Sequence, residues 1–272
     1  MSTAVDRADA DRADVDRPDA PPASALSGLT DLLLAMADDE FVIGFSDSEW
    51  TGIAPLLEED LAMSSLAQDE LGHAAALYDL LATITGAQRD SIAYDREPAA
   101  YRHARLLDHG RGDWAMAIAR RYLYETADAV RLTALVDGTW APLADLVVKI
   151  RREERYHRMH IGAWLDRLAR ADGEPRDRLI AALDTLGPDA ATVFTPLPHE
   201  AALLETGIMT RAIADQERDW RRDIEPTLLA LDLPMPSPAK DPERGREDHS
   251  EAFRWLHGQF TMVRRGDPGA TW

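Results

Sequence analysis

The sequence predicts an all-α protein built on a four-helix bundle with additional C-terminal helices. Three observations predict this: long stretches carry apolar residues at helical spacing, Gly and Pro mark the turns between them, and strand-like alternation is negligible. The four long helices of the bundle are predicted at about 28–50, 56–87, 113–137 and 140–171. Shorter helices are predicted at about 174–186, 199–230 and 248–264.

Turn signals divide the four long helices into two hairpins. The first turn is the run from Trp50 to Pro55, and the second is the run from Asp137 to Pro142. Asp113 is the predicted N-cap of the third helix. The connection at 88–112 is long and rich in Arg, Asp and His, with a short helix predicted near 98–107. Such a segment is the crossover that joins the two hairpins of a bundle.

The N-terminal residues differ in composition from this helical part. Residues 1–26 repeat Asp, Arg and Ala, carry three prolines and show no apolar periodicity, which predicts a disordered acidic tail. Residues 27–272 are predicted to form one helical domain, in which 231–247 is irregular.

Composition restricts the classes of partner. The net charge of −19 and the pI near 4.7 argue against nucleic acid or an anionic membrane as the main partner. A local basic patch for a phosphorylated or CoA-linked substrate stays open. Ordinary helix surface is the simpler interpretation of the arginine cluster, which consists of Arg102, Arg105, Arg111, Arg120 and Arg121. The chain has no cysteine, and no secretion signal or long apolar run is visible, so we expect a cytoplasmic protein.

Two Glu-x-x-His motifs indicate a metal centre. Glu70 precedes His73 by three residues, and Glu154 precedes His157 by the same spacing, so each pair lies on one helix face. Two such motifs, each joined by a Glu from a neighbouring helix, form the ligand set of a ferritin-like di-iron carboxylate bundle. The candidate partner residues are Glu40 and Glu125.

The positions of the two turns support this pairing. Pro55 lies midway between Glu40 and Glu70, so both side chains stand about 22 Å from the turn at about 1.5 Å per residue. The second turn likewise lies midway between Glu125 and Glu154. Four carboxylates at one level of a core would repel one another unless cations offset their charge. Carboxylate and imidazole suit manganese as well as iron.

Simpler interpretations of the same residues stay open. A single Glu-x-x-His motif in a helical protein is mostly chance. Glu154 lies in a charged run and can be solvated, with His157 a hydrogen-bonded core residue. Helix phase also leaves open whether Glu40 points inward, or whether Asp38 or Asp39 does.

Several further stretches resemble one known family. They include Ser-Glu-Trp-Thr-Gly-Ile-Ala-Pro at 48–55, and similar matches fall at 56–60, 67–74, 152–157, 245–251 and 268–272. From about residue 28 to the C-terminus the chain resembles the C-subunit family of the phenylacetyl-CoA ring-1,2-epoxidase, a multicomponent bacterial monooxygenase.

The resemblance implies a ferritin-like fold and a hetero-oligomeric complex. It implies a catalytic A subunit that carries a di-iron site and binds phenylacetyl-CoA, a small B subunit, and a reductase with flavin and an iron–sulfur cluster. In this family the C subunit is the structural partner of the A subunit. The complex inserts one atom of O₂ across the 1,2 bond of the aromatic ring.

The chain departs from that family at the candidate ligands. The best-known C subunits have apolar or amide residues at the positions of Glu40, Glu70, His73 and Glu154. Three hypotheses follow: a non-catalytic subunit of the epoxidase, a catalytically competent di-iron subunit, and an iron-handling protein without an organic substrate. In the second, the metal ligands are the full set of Glu40, Glu70, His73, Glu125, Glu154 and His157. Asp69 and Asp128 are candidates to orient the histidines.

Overall fold

The computed structural model describes residues 18–238 and 245–267. Within these ranges the regular structure is helical and no strand occurs, which confirms the predicted all-α class. The helices are α1 (Leu26–Ser48), α2 (Leu57–Thr85), α3 (Arg89–Tyr94), α4 (Trp114–Leu135), α5 (Ala141–Ala169), α6 (Glu174–Leu186), α7 (Glu200–Glu205), α8 (Ile213–Ala230) and α9 (Glu251–Gly266). Among the described residues no helix is long and apolar enough to cross a membrane; the cytoplasmic location stays a prediction.

Two helical hairpins form the bundle, as the turn signals predict. Helix α1 packs along α2, α4 packs along α5, and α2 also contacts α5. Asp113 caps α4, since its carboxylate accepts a hydrogen bond from the backbone N–H of Met116 at 2.9 Å. Helix α2 ends at Gly86, whose φ of 73° is a left-handed conformation that glycine adopts without strain.

The turn between α4 and α5 depends on a distant segment. A Cβ on Gly138 would lie 2.3 Å from the carbonyl oxygen of Ile208, so only glycine allows this approach. The N–H of Thr139 donates to the carbonyl of Gly207 at 3.1 Å, and the N–H of Thr210 donates to the carbonyl of Ala134 at 2.8 Å. The segment after α7 therefore packs against the second hairpin and holds its turn.

The same contacts correct one sequence prediction. The sequence predicts one helix over 199–230, but the structure divides it into α7 and α8. The helix stops at Gly207, where φ is +72°, and the chain then pairs with the turn of the second hairpin. Those hydrogen bonds to another element replace the intrahelical ones that a continuous helix would make.

The crossover also differs from its prediction. In place of one short helix near 98–107, the structure has α3 upstream and 3₁₀ turns at Pro98–Ala100 and Arg105–Asp108. Buried aspartates of α1 replace regular helix bonding here: Asp38 accepts from the N–H of Arg102 at 2.6 Å, and Asp39 accepts from the N–H of Ala104 at 2.6 Å. A further 3₁₀ helix at Gly187–Phe194 was not predicted.

Residues at the end of the predicted acidic tail pack against the helical domain. Residues Ala23–Ala25 form a 3₁₀ turn with Ala25 fully buried, and the indole N–H of Trp140 donates to the carbonyl of Asp19 at 2.9 Å. Residues 1–17, which hold most of the predicted tail, lie outside the described residues. So do 239–244 of the predicted irregular segment and the family-like segment at 268–272.

Candidate metal centre

The structure brings all six predicted ligands together in the interior of the bundle. Each is at most 3% exposed to solvent. Their ligand atoms form two groups, within each of which the atoms lie within 4.8 Å of one another. The first half-site consists of Glu40, Glu70, His73 and Glu154. The second half-site is centred on Glu70, Glu125 and His157.

In the first half-site, the Nδ1 atom of His73 faces three carboxylates. It lies 3.5 Å from Oε2 of Glu40, 3.3 Å from Oε2 of Glu70 and 3.7 Å from Oε1 of Glu154. These separations exceed normal hydrogen-bond lengths and leave space between the atoms. One nitrogen and three oxygens from three helices thus surround a common point.

The second half-site repeats this arrangement. The Nδ1 atom of His157 lies 3.5 Å from Oε1 of Glu70, 3.8 Å from Oε1 of Glu125 and 3.3 Å from Oε1 of Glu154. The two imidazole centroids are 6.3 Å apart. Glu70 and Glu154 approach both histidines, so the two half-sites share these glutamates.

Two carboxylates at the edge of the bundle orient the histidines. Nε2 of His73 lies 2.7 Å from Glu153, and Nε2 of His157 lies 3.1 Å from Asp69. A proton on each Nε2 leaves the lone pair of Nδ1 directed into the centre, the arrangement common around metal-bound histidines. Asp69 has the orienting role that the sequence predicts for it. Asp128, the other candidate, pairs with Arg131 at 2.8 Å, and Glu153 orients His73 in its place.

The centre contains an unusual concentration of unpaired polar atoms. Seven buried atoms of the six residues have no hydrogen-bond partner: Glu40 Oε2, Glu70 Oε2, His73 Nδ1, Glu125 Oε2, Glu154 Oε1, Glu154 Oε2 and His157 Nδ1. Buried polar atoms without a partner are rare in native proteins, and each requires a physical explanation. Metal ions bound by carboxylates and imidazoles would satisfy them, so the residues present fit the predicted group.

The charges of the centre are strongly coupled. Burial and the charge of Glu70 raise the pKa of Glu40 well above its ordinary value, and burial with the charges of Glu125 and Glu70 does the same for the pKa of Glu154. Burial opposes ionisation of Glu70 as well, but the positive charge of Arg121 holds the pKa of that carboxyl well below its usual range. Glu40 and Glu154 are therefore held towards their neutral forms unless further positive charge enters the centre.

The two histidines respond to the same carboxylates. Burial opposes protonation of both, but Glu40 and Glu70 raise the pKa of His73 to about 12. The neighbouring Glu70 and Glu125 raise the pKa of His157 to about 9. In the absence of metal, protons on the imidazoles thus offset part of the carboxylate charge.

Arg121 is a residue of this centre that sequence reasoning missed. Its Nη1 donates to Oε1 of Glu70 at 2.6 Å and to Oε1 of Glu125, and its Nε donates to Asp47 at 2.5 Å. The interpretation of Arg120 and Arg121 as ordinary helix surface is wrong, because both are fully buried. The available signal was the spacing, since Arg121 lies one helical turn before Glu125 on the same face.

The structure also decides the helix phase of α1. Glu40 faces the centre, and the hydroxyl of Tyr124 donates to its Oε1 at 2.8 Å. Asp38 and Asp39 are equally buried but face the crossover; Asp39 also accepts from Arg131 at 2.6 Å. The solvated alternative for Glu154 is wrong as well, since Glu154 is 1% exposed.

A third group of possible ligands lies away from the bundle centre. Nε2 of His103 lies 2.9 Å from Asp108, and Nδ1 of His249 lies 3.3 Å from the same carboxylate oxygen. The two imidazoles are stacked at 4.2 Å. Asp108 also accepts from the N–H of Ser250, so these residues fasten the crossover to the start of α9.

Comparison with known proteins shows the family to which the chain belongs. A family model described as "Phenylacetic acid catabolic protein" matches residues 2–272. The chain belongs to this family. Together with the two packed hairpins, membership confirms the ferritin-like fold that the motifs predict.

Two curated relatives in the family come from Escherichia coli (strain K12). The chain is 25% identical over 249 residues to the C subunit of 1,2-phenylacetyl-CoA epoxidase, an alignment that covers 91% of this chain and 100% of that relative. It is also 25% identical over 206 residues to the A subunit of the same enzyme, over 74% of this chain and 66% of that relative. The similarity to the C-type relative therefore covers most of this chain.

Proposed function

We propose that this chain is the C-type subunit of a phenylacetyl-CoA 1,2-epoxidase complex, and that it binds metal in the centre formed by its six buried Glu and His residues. The observation that carries the metal assignment is the set of seven buried, unpartnered ligand atoms that converge there. A purely structural core would hold these carboxyl groups and imidazoles together only by keeping protons on several of them, at a considerable cost in free energy.

The comparisons support the place of the chain in the complex. The alignment spans the entire length of the C-type relative but only 66% of the A-type relative. The proposed partners are accordingly a small B subunit, a catalytic A subunit, and a reductase that carries flavin and an iron–sulfur cluster. The proposed substrate of the complex is phenylacetyl-CoA.

The proposed cofactor is iron on a ligand set of the di-iron carboxylate type, with manganese as an alternative on the same ligands. Such a group supplies redox chemistry with O₂ when it is bound. Glu40, Glu70, His73 and Glu154 would hold it in the first half-site, and Glu125 and His157 would complete the second. Glu153 and Asp69 fix the ring orientation of the histidines, and Tyr124 fixes one oxygen of Glu40.

Metal content tests the proposed centre. The chain purified alone from iron-replete cells, or after reconstitution under anaerobic conditions, should contain bound iron by elemental analysis. Replacing Glu70 and His73 together by Ala should abolish that iron, because both bind in the first half-site. A control with Glu58→Ala and His160→Ala removes the same residue types outside the centre and should retain it. An absence of metal after reconstitution would contradict the assignment and leave a structural subunit only.

Association with an A subunit tests the other half of the proposal. Co-expression with an A-type relative should yield a complex that survives size-exclusion chromatography. The Glu70/His73 double variant should still assemble if its helical content is unchanged, since these side chains lie inside the bundle. Failure of the wild-type chain to assemble with the A-type relative would contradict the C-type assignment.

A catalytically competent oxygenase subunit is the second candidate, because every ligand of a di-iron carboxylate set is present in this chain. Oxygen uptake with phenylacetyl-CoA and reductase, without any A-type partner present, would support it. Oxygen uptake that does not depend on the acyl-CoA would instead indicate an iron-handling protein. No uptake by the metal-loaded chain would contradict both.

A further inference from the structure

We propose that the two half-sites are unequal and that Arg121 sets the number of metal ions bound. The first half-site binds one divalent ion, whereas the guanidinium of Arg121 serves as the cation of the second. This inference rests on the proposed metal centre. It reduces the number of metal ions that the centre binds from two to one.

The first half-site is open to a metal ion. Its four inward atoms are Glu40 Oε2, Glu70 Oε2, His73 Nδ1 and Glu154 Oε1, and each lacks a hydrogen-bond partner. Arg121 binds the other oxygen of Glu70, at 2.6 Å, and Arg131 lies 3.9 Å from the other oxygen of Glu40 and is paired with Asp39 and Asp128, so neither guanidinium pairs with the four inward atoms. An entering ion would therefore meet four available donors and displace only protons.

The second half-site already contains a positive charge. Three carboxylate oxygens face His157. Oε1 of Glu70 and Oε1 of Glu125 accept hydrogen bonds from Nη1 of Arg121, and the third, Oε1 of Glu154, also belongs to the first half-site. A metal ion bound by the same two oxygens would compete with those hydrogen bonds and lie close to the guanidinium. Unlike an imidazole, a guanidinium does not release its proton at any ordinary pH.

Arg121 is also held in place from its other side. Its Nε donates to Asp47 at 2.5 Å, and the side chain has no exposed surface. Arg120, the adjacent residue, contacts the other oxygen of Asp47 at 3.4 Å. An outward movement of Arg121 would leave Asp47 with fewer partners in the core, so the guanidinium has no low-energy alternative position.

Comparison of the two hairpins isolates this difference. Each hairpin contributes one Glu from its first helix, one Glu-x-x-His motif from its second, and one acidic residue that orients the histidine of the other hairpin. The residue one helical turn before the first-helix Glu differs: it is Met36 before Glu40, and Arg121 before Glu125. Met36 is buried and apolar. The substitution Arg121→Met therefore gives the second hairpin the residue of the first.

Titration of the metal-free full-length chain with Mn²⁺ tests the proposal. The wild type should bind one ion per chain and give the electron paramagnetic resonance spectrum of an isolated Mn²⁺, with a second ion bound at least about 100-fold more weakly because of the adjacent positive charge. Arg121→Met should bind two ions and give a spin-coupled spectrum. Arg120→Met is the matched control: it removes a buried arginine from the same helix and the same aspartate, and should still bind one ion.

Single-ligand variants keep the test valid if Arg121→Met does not fold. His73→Ala should lose the ion, whereas His157→Ala should retain it with an affinity within about tenfold of wild type, because that histidine belongs to the half-site that Arg121 fills. Equal loss in both variants would overturn the proposal. So would two ions of comparable affinity in the wild type, a result that leaves the proposed metal centre intact. No bound ion in the wild type would overturn the metal centre itself.

Discussion

The metal-free chain should become less stable as the pH rises from about 6.5 to about 9. Although burial opposes protonation, the surrounding carboxylates raise the pKa of His157 from 6.5 to about 9. A histidine whose pKa is higher in the folded state binds its proton more tightly there. Its stabilising contribution is therefore fully present below pH 6.5 and is lost as the pH rises through about 9.

The size of the effect follows from that difference in pKa. At about 1.4 kcal/mol per pH unit, His157 alone accounts for about 3 kcal/mol of unfolding free energy across this range. Glu40 and Glu154 act in the same direction, because burial raises the pKa of both and the unfolded chain releases those protons above pH 4.5. Bound metal reverses the trend, since the ligands bind it in their deprotonated forms and its affinity rises with pH.

Urea unfolding at pH 6, 7.5 and 9, followed by far-ultraviolet circular dichroism, measures this dependence. The chelator-treated wild type should lose stability between pH 6 and pH 9, and the Mn²⁺-saturated protein should lose less or gain. The variant His157→Gln should show a shallower dependence without metal. A metal-free wild type that is equally stable at pH 6 and pH 9, or a slope unchanged in His157→Gln, would refute the reasoning.

Three further predictions concern substitutions in the core, beside the centre and at a turn. Asp39→Ala should lower the free energy of unfolding by about 3–5 kcal/mol in urea, since buried Arg131 and Arg246 each lose a carboxylate partner, whereas Asp31→Ala at the more exposed surface should cost under about 1 kcal/mol. Glu153→Gln should weaken Mn²⁺ binding about 10–100-fold without changing the stoichiometry, because it loosens the imidazole that it orients; an unchanged affinity would contradict that role. Gly138→Ala should destabilise the turn by about 2 kcal/mol or more through a backbone clash. Gly72→Ala meets open space and should stabilise α2 by about 0.5–1 kcal/mol. The melting temperature should therefore fall in the first variant and rise in the second.

The ligand set could be predicted from the sequence because helix geometry is local. A three-residue spacing places Glu70 and His73 on one face in any α-helix, and a turn midway between Glu40 and Glu70 brings both to the same level. These arguments need no knowledge of distant residues. The prediction that the six residues converge agrees with their positions in the structure, while metal binding itself stays a prediction.

Arg121 shows where such reasoning stops. On the sequence it is one of several arginines in a charged stretch, and an arginine is ordinarily a surface residue. Its burial depends on Asp47 in another helix and on two glutamates of different helices. The break after α7 is of the same kind, because the hydrogen bonds that replace helix there come from Ala134 and Thr139.

Periodicity and turn chemistry act within short stretches of chain. The all-α class, the two hairpins and the residues that can serve as ligands could therefore be predicted without the structure. The tertiary structure alone decided which of Asp38, Asp39 and Glu40 faces the centre, and that a buried guanidinium shares it. The physical reason is that burial and charge pairing depend on which helices pack together. Neighbours in space, many of them distant along the chain, set the balance of charge in the core.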